Sequence, residues 1–319
     1  MAITQLSDVL VDQTAYNLGM DYALRPELYF DAAADVKPTA QAHPGSSVKF
    51  TLTSDLAAAT TALTETSDVT PVAMADSQVT VTLAEYGNAV QTSAKLRGTS
   101  FVAYDPVVAN VIGYNAGISL DTLAQVQLKG GTNVRYATGT GAAATARNMI
   151  SDENTLRATD VRYVVAKLRG ANVKTNMAGL YTGFIHPDVS VDLTAETDLA
   201  GWRAPHAYND GGPIAQGEIG AFQGVRFVET PRGPLVADGG ATPSTTDVYL
   251  TLFTGQQALA KAYSSVDGNG AFPRLSPTPV VDLLRRFTGM GWYWLGGYGR
   301  FREAALYRVE SSSSIGTNL

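Results

Sequence analysis

The sequence contains no cysteine, which excludes a disulfide framework, a cysteine-ligated zinc or iron–sulfur site and a thiol nucleophile. Charge is scarce as well: Asp, Glu, Lys and Arg make up 16% of the 319 residues, against about 25% in soluble domains. A folded monomer covers its water-facing surface with charge, so a chain this poor in it is expected to hide surface in contacts with other chains. A neutral soluble domain rich in Thr and Ala has the same composition. The three histidines, His43, His186 and His206, lie far apart, which argues against a histidine-rich metal site. The first base is Arg25, and Asp8 and Asp12 interrupt the early apolar residues; synthesis in, and release from, a cytoplasm are expected rather than secretion. The longest apolar stretch, Val107 to Leu120, holds Asn110 and Asn115 and is too short to span a bilayer.

Net charge is −6, and all of it sits in the first third. Residues 1–97 carry 11 acids and 5 bases, whereas residues 98–319 carry 18 of each. The one basic cluster, Arg157, Arg162, Lys167, Arg169 and Lys174, is too local for long-range DNA binding. An acidic arm on a charge-balanced body fits an arm lying on basic residues of a neighbouring copy, and equally a solvated acidic tail.

About 45 residues without a sustained period open the chain and close on His43-Pro44-Gly45; they read as an extended arm with at most a short helix near Leu6 to Leu18. Val48, Phe50 and Leu52 then alternate with Lys49, Thr51 and Thr53, and Val79, Val81 and Leu83 alternate with Thr80 and Thr82. The period of two predicts a pair of strands with one apolar face. Residues 54–77 between them are far longer than a tight turn and predict an elaborate tip. A lone hairpin is marginal in water, so its apolar face must find its own body or a neighbour.

Asp105-Pro106 signals a capped helix running to Gln127, about 33 Å long at roughly 1.5 Å per residue. Val108, Val111, Ile112, Ile118 and Leu123 are expected on its buried face, with Gly113 and Gly117 making either a flat packing track or a mild bend. A second helix is written over Thr159–Gly170, capped by Thr159 or Asp160. Strands are expected at 134–137, 179–185, 224–229, 247–253, 292–295 and 304–309, with a helix near Gln256 to Tyr263 and a Ser-rich tail. No βαβα alternation appears, so the fold class is α+β.

Catalytic patterns fail on inspection. Gly139-Thr140-Gly141-Ala142-Ala143-Ala144 has the look of a dinucleotide loop with Asp160 twenty residues on, but Asp160 begins a helix instead of ending a strand, and a small-residue turn accounts better for the glycines. Asp188, Asp192, Glu196 and Asp198 beside His186 could gather round a hard cation, yet lack the glycine turn of a calcium loop. No nucleophile elbow, zinc pair or phosphate loop occurs. Trp292 and Trp294 read as core or interface. Catalytic, cofactor-binding and metal residues are therefore expected to be none.

The order of features resembles the major capsid proteins of tailed bacteriophages with the Hong Kong 97-type fold. Several stretches are similar to the N-four-type phage capsid family: Ala62-Leu63-Thr64-Glu65 with Val69-Thr70-Pro71, the run Val79 to Gly87, Phe184-Ile185-His186-Pro187 with Asp192-Leu193, Gly217-Glu218-Ile219-Gly220 leading to Gly224–Glu229, and the closing Tyr307-Arg308-Val309-Glu310. The resemblance implies a shell-building protein without enzymatic activity or cofactor. Residues 1–45 would be the arm, 46–95 an extended loop over the neighbouring subunit, 96–155 and 276–319 a peripheral domain with its spine helix, and 156–275 an axial domain. Its partners would be copies of itself in hexameric and pentameric capsomers, scaffolding, portal and decoration proteins, and packaged DNA without sequence-specific contact. No membrane is implied, and the location would be the virion capsid, assembled in the host bacterial cytoplasm. Some relatives carry a Lys–Asn crosslink; Lys49 lies on a hairpin arm and the tip has no lysine, so none is expected here. A tail or decoration protein, or a hydrolase, is the alternative.

Overall fold

The computed structural model describes residues 29–38, 46–53, 56–63, 65–66, 68–100, 104–176, 179–196, 218–241, 246–264, 271–278, 284 and 286–315. The first elements are β1 (Ala34–Pro38), β2 (Ser47–Thr53), β3 (Asp76–Thr82), β4 (Ala84–Ser93), the short α1 (Ala94–Thr99), the long α2 (Tyr104–Lys129) and β5 (Val134–Tyr136). Then come α3 (Ala158–Gly170), β6 (Tyr181–Ile185), α4 (Pro187–Ala195), β7 (Glu218–Phe222), β8 (Val225–Glu229), β9 (Leu235–Val236) and β10 (Val248–Thr254). β11 (Leu259–Tyr263), β12 (Arg274–Thr278), β13 (Phe287–Arg300) and β14 (Leu306–Ser311) follow. The short helix expected near Leu6 to Leu18 lies outside the described residues.

Seven strands form one sheet in the order β5-β14-β10-β6-β8-β7, with β9 added beside β10. At its centre β10 is buried at every position, as its unbroken run Val-Tyr-Leu-Thr-Leu-Phe-Thr requires of a strand covered on both faces. The second sheet runs β1-β11-β13-β12, and β4 lies antiparallel along β13 from Ala84 opposite Gly296 to Ser93 opposite Phe287. β2 and β3 pair only with each other among the described residues, Val48 opposite Val81 and Phe50 opposite Val79.

Hydrogen bonding crosses the expected domain boundaries. β5 and β14, expected in the peripheral part, belong to the sheet of β6 to β10, whereas β11, expected in the axial part, joins β13. Residues 84–93, grouped by sequence with the extended loop, are paired into the body.

The helix expected from Pro106 begins at Tyr104, so Asp105 lies in its first turn and is not its cap. Its buried apolar residues are Val108, Ile112, Ala116, Leu120, Ala124 and Leu128, every fourth position. At about 100° per residue such a stripe rotates by roughly 40° a step and about 200° in all. The helix therefore buries a winding line against successive partners, and Val111, expected inside, is exposed. The position where Gly113 would carry a Cβ meets no atom within 4 Å, so no described part of its own chain packs against that glycine.

Two local expectations fail for tertiary reasons. The segment expected to be a helix near Gln256 is strand β11: Gln257 has φ +66°, which breaks a right-handed helix, and Leu259–Tyr263 pairs with β1 on one side and β13 on the other. Pairing overrides the helix propensity of its two alanines. The helix expected to be capped by Thr159 or Asp160 starts at Ala158 after Arg157, which makes no side-chain cap. Instead Glu196, beyond α4, accepts the Ala158 N–H at 2.8 Å, a carboxylate at the positive end of the helix dipole.

The start of β1 is fastened by two buried groups. Phe30 packs on Phe184 with tilted rings whose centroids are 4.9 Å apart, and its N–H donates to Asp121 Oδ1 at 2.8 Å. Burial raises the Asp121 pKa, while the backbone N–H groups of Phe30 and Asp31 and the Arg232 guanidinium pull it back down. Lys261, 2% exposed, donates to both oxygens of Asp31 at 2.7 and 3.0 Å, and Tyr298 donates to the same carboxylate. Desolvation and the Asp31 charge push the Tyr298 hydroxyl pKa up, which keeps it a donor.

Candidate assembly surfaces

The hairpin β2–β3 settles its marginal stability on its own body. Phe50 and Val81 are buried with Ala260, Ala262 and Phe301 in a small core separate from the main one, and the Phe50 and Phe301 rings lie 5.7 Å apart. The seat is made by missing side chains. A Cβ on Gly297 would come within 2.2 Å of the Thr82 carbonyl oxygen, and one on Gly299 within 2.8 Å of Val81. Both glycines of β13 are therefore required for β3 to lie this close.

Towards α2 the hairpin base stands clear. A cleft of about 490 Å³ separates Val79, Thr80 and Thr82 from Leu123 and Gln127. Beyond the base, every described residue from Leu56 to Gln78 is exposed. Leu63, Val72 and Met74 are the most exposed of five large apolar side chains there, with Leu56 and Val69. These five exposed apolar side chains on one segment make it the candidate assembly surface.

Three of the four acids considered for a cation are committed elsewhere. Asp188 accepts from the Tyr249 hydroxyl at 2.8 Å, Asp192 binds the N–H and hydroxyl of Ser314, and Glu196 holds α3. They fasten the Ser-rich tail and two helices; among the described residues no three His, Asp or Glu converge on a metal position. Asp198, His206 and His43 lie outside the described residues. Burial beneath the Tyr249 ring lowers the pKa of His186 against the opposing charges of Asp188 and Glu229.

The glycine run 139–144 is a crossing point. A Cβ on Gly139, at φ +47°, would lie 1.9 Å from the Glu153 carbonyl. Asn154, fully buried, closes the loop by donating to the carbonyls of Ala137, Thr138 and Ala142 while its oxygen accepts from Ser151. Asp160 is buried and takes Arg135 and Thr138, so it has no ribose to hold. Trp292 donates to Asn115 at 2.9 Å and Trp294 is fully buried; both belong to the core.

Several hubs left no sequence signal. Asn154 sits in a polar run, and Glu310, 1% exposed, binds Arg308 on its own strand and Arg147 from 163 positions away. The Glu310 hydrogen bond is the main reason the Arg147 pKa rises. No described helix is long and apolar enough to cross a membrane.

The sequence matches the family model of the phage capsid protein over residues 7–314. No curated protein sequence gives a significant match. The fold is similar to the capsid of Ralstonia phage GP4, at 15% identity, TM-score 0.71 and full coverage of both chains. It is also similar to the cyanophage Pam1 capsid (13%, TM-score 0.67, 88% of this chain and 89% of the other) and to that of cyanophage P-SCSP1u (14%, 0.67, 98% and 96%). The family match spans nearly the whole chain, and the chain belongs to the phage capsid protein family as a major capsid protein of Hong Kong 97-type fold.

Proposed function

We propose that this chain self-assembles through hexameric and pentameric capsomers into the icosahedral shell enclosing the DNA of a tailed bacteriophage, built in the host bacterial cytoplasm. Its role is structural and uses no catalytic centre. Residues 1–45 form the arm, and the hairpin of residues 46–83 is the reaching part of the 46–95 loop, tied to the body by β4. α2 and the five-stranded sheet make the peripheral part. The seven-stranded sheet with α3 and α4 makes the axial part at the symmetry axes. Scaffolding, portal and decoration proteins are further partners in this reading.

The observation that carries it is the hairpin tip, a stretch from Leu56 to Gln78 whose described residues are all exposed and include five large apolar side chains. Copies related by rotation can cover one another's tips in a closed ring, so that many thin contacts add to a large interface. Size-exclusion chromatography and electron microscopy of the expressed chain test this. Capsomer rings or megadalton shells are expected; a 33.6 kDa monomer at high concentration overturns it, and tubes or spikes move the chain to tail or decoration proteins.

A further inference from the structure

The chain is acidic overall, yet residues 161–187 contain no acid and four bases, Arg162, Lys167, Arg169 and Lys174. These lie on α3 and just after it. Val161, Val164, Val165 and Leu168 bury the inner side of the helix, which leaves an outer face about 160° wide at roughly 100° per residue. Tyr163 sits near its middle. The Arg135 guanidinium lies 4.4 Å from the centre of that ring and the Lys167 ammonium 5.4 Å. Arg162 and Arg169 fall on the opposite flank.

Between the two basic flanks the surface is low. Ala166 is exposed, and a Cβ on Gly170 would meet nothing within 4 Å. A backbone of phosphates can therefore approach the helix between the flanks. Among the described residues no carboxylate pairs with Lys167, Arg169 or Lys174, whereas buried Asp160 is already matched by Arg135.

We propose that this outer face of α3 is where the shell touches the phosphate backbone of its packaged DNA; the proposal rests on the reading of the chain as a shell protein. Double-stranded DNA presents one negative charge per about 1.7 Å of axis, a density that a face of cations round one exposed tyrosine fits without reading bases. The rival occupant is the acidic first segment of another copy. It is the poorer match: residues 1–28 hold four acids and one base, and Asp31 is already held by Lys261 of its own body. A face of this size gives weak, salt-screened contact, which restrains packaged DNA and lets it leave.

Two measurements test the face. Ultraviolet irradiation of DNA-filled particles followed by peptide mapping is expected to place nucleotide adducts on the Tyr163 peptide; adducts confined to other segments overturn the proposal. The triple variant Lys167→Gln, Arg169→Gln, Lys174→Gln is expected to form shells of wild-type size. Its dissociated capsomers are expected to bind a 30-base-pair duplex with a log K against log salt slope shallower than wild type by about 2.7, for three lost phosphate contacts. An unchanged slope, or carbodiimide coupling of Lys167 to an acid of residues 1–28 in another copy, overturns the assignment to DNA and leaves the shell reading intact. A wild-type chain that forms no shells at all overturns the shell reading and this one with it.

Discussion

Residues 56–78 and residues 246–264 are stretches of similar length, each rich in Thr and Ala, and their surroundings are opposite. In the first every described residue is exposed; in the second all are buried except Gln256, Gln257 and Tyr263. Composition does not make that difference. The second stretch forms β10 and β11, each with strands on both sides, whereas among the described residues the first is strand-paired only at its base, where β2 and β3 meet. Burial of one side chain such as Phe50 is worth about 1.5–3 kcal/mol, which is enough to seat the hairpin base, whereas no described tip residue from Leu56 to Gln78 is buried. The described body is packed alone, whereas in the proposed shell the tip is completed by another copy.

The largest expected effect comes from removing the incomplete region. Replacing residues 54–77 by a short turn removes side chains that are exposed wherever they are described, so the thermal transition of the body should stay within a few degrees of wild type, while shells and capsomer rings disappear from micrographs. Intact particles from that variant would refute the role of the tip. Loss of the cooperative transition would instead mean that the two regions are one unit, and the contrast between them would be broken.

The converse change attacks the complete region. Lys261→Ala leaves Asp31 with Tyr298 as its remaining side-chain donor among the described residues and opens a hole among Phe272, Trp294 and Tyr298, which surround the ammonium at about 5.5 Å. Orphaning one partner of a buried pair costs roughly 3–5 kcal/mol; the lower end applies because Asp31 keeps some water. Denaturant unfolding should show a loss of about 3 kcal/mol, and pairing Lys261→Met with Asp31→Asn should recover most of it. If the single variant unfolds like wild type, the pair does not hold the start of β1 to the body.

How far these regions were legible in sequence follows from the range of the interactions involved. The alternation at Val48–Leu52 and Val79–Leu83 and the i, i+3, i+4, i+7 pattern of α3 are local, and both elements appear close to where their periods put them. The length of α2 was also legible, because a glycine pair ends it, but its buried line was not: a four-residue spacing drifts round the helix and shows no single face. β11 was misread because two alanines and a lysine favour a helix until two strands claim them. The buried hubs join residues 230 positions apart, as in Lys261 with Asp31, and no spacing rule reaches that far. The tip was legible as a long insertion, and what it lacks could be seen only once the body was seen to be full.

The smallest expected effect separates the two regions by pH. His186 caps α4, its Nδ1 accepting the Asp188 N–H at 3.3 Å, and its pKa is lowered, chiefly by burial, below the ordinary 6.5. The groups facing it are Asp188 on its own helix, Glu229 from β8 and Tyr249 from β10. Because the unfolded chain binds the proton more readily, this group's contribution is complete above pH 6.5 and declines as pH falls from there through the folded value. The hairpin, residues 46–83, holds no histidine, so its charge is nearly constant across that window. Acidification from pH 7 to 5.5 should therefore lower the melting temperature of the wild-type body and of the variant lacking residues 54–77 by the same few degrees. His186→Asn, which keeps a side-chain oxygen at the helix cap, should reduce that drop in both. A drop that vanishes with the hairpin instead of with His186 would place the acid-sensitive group in the tip and reverse the comparison.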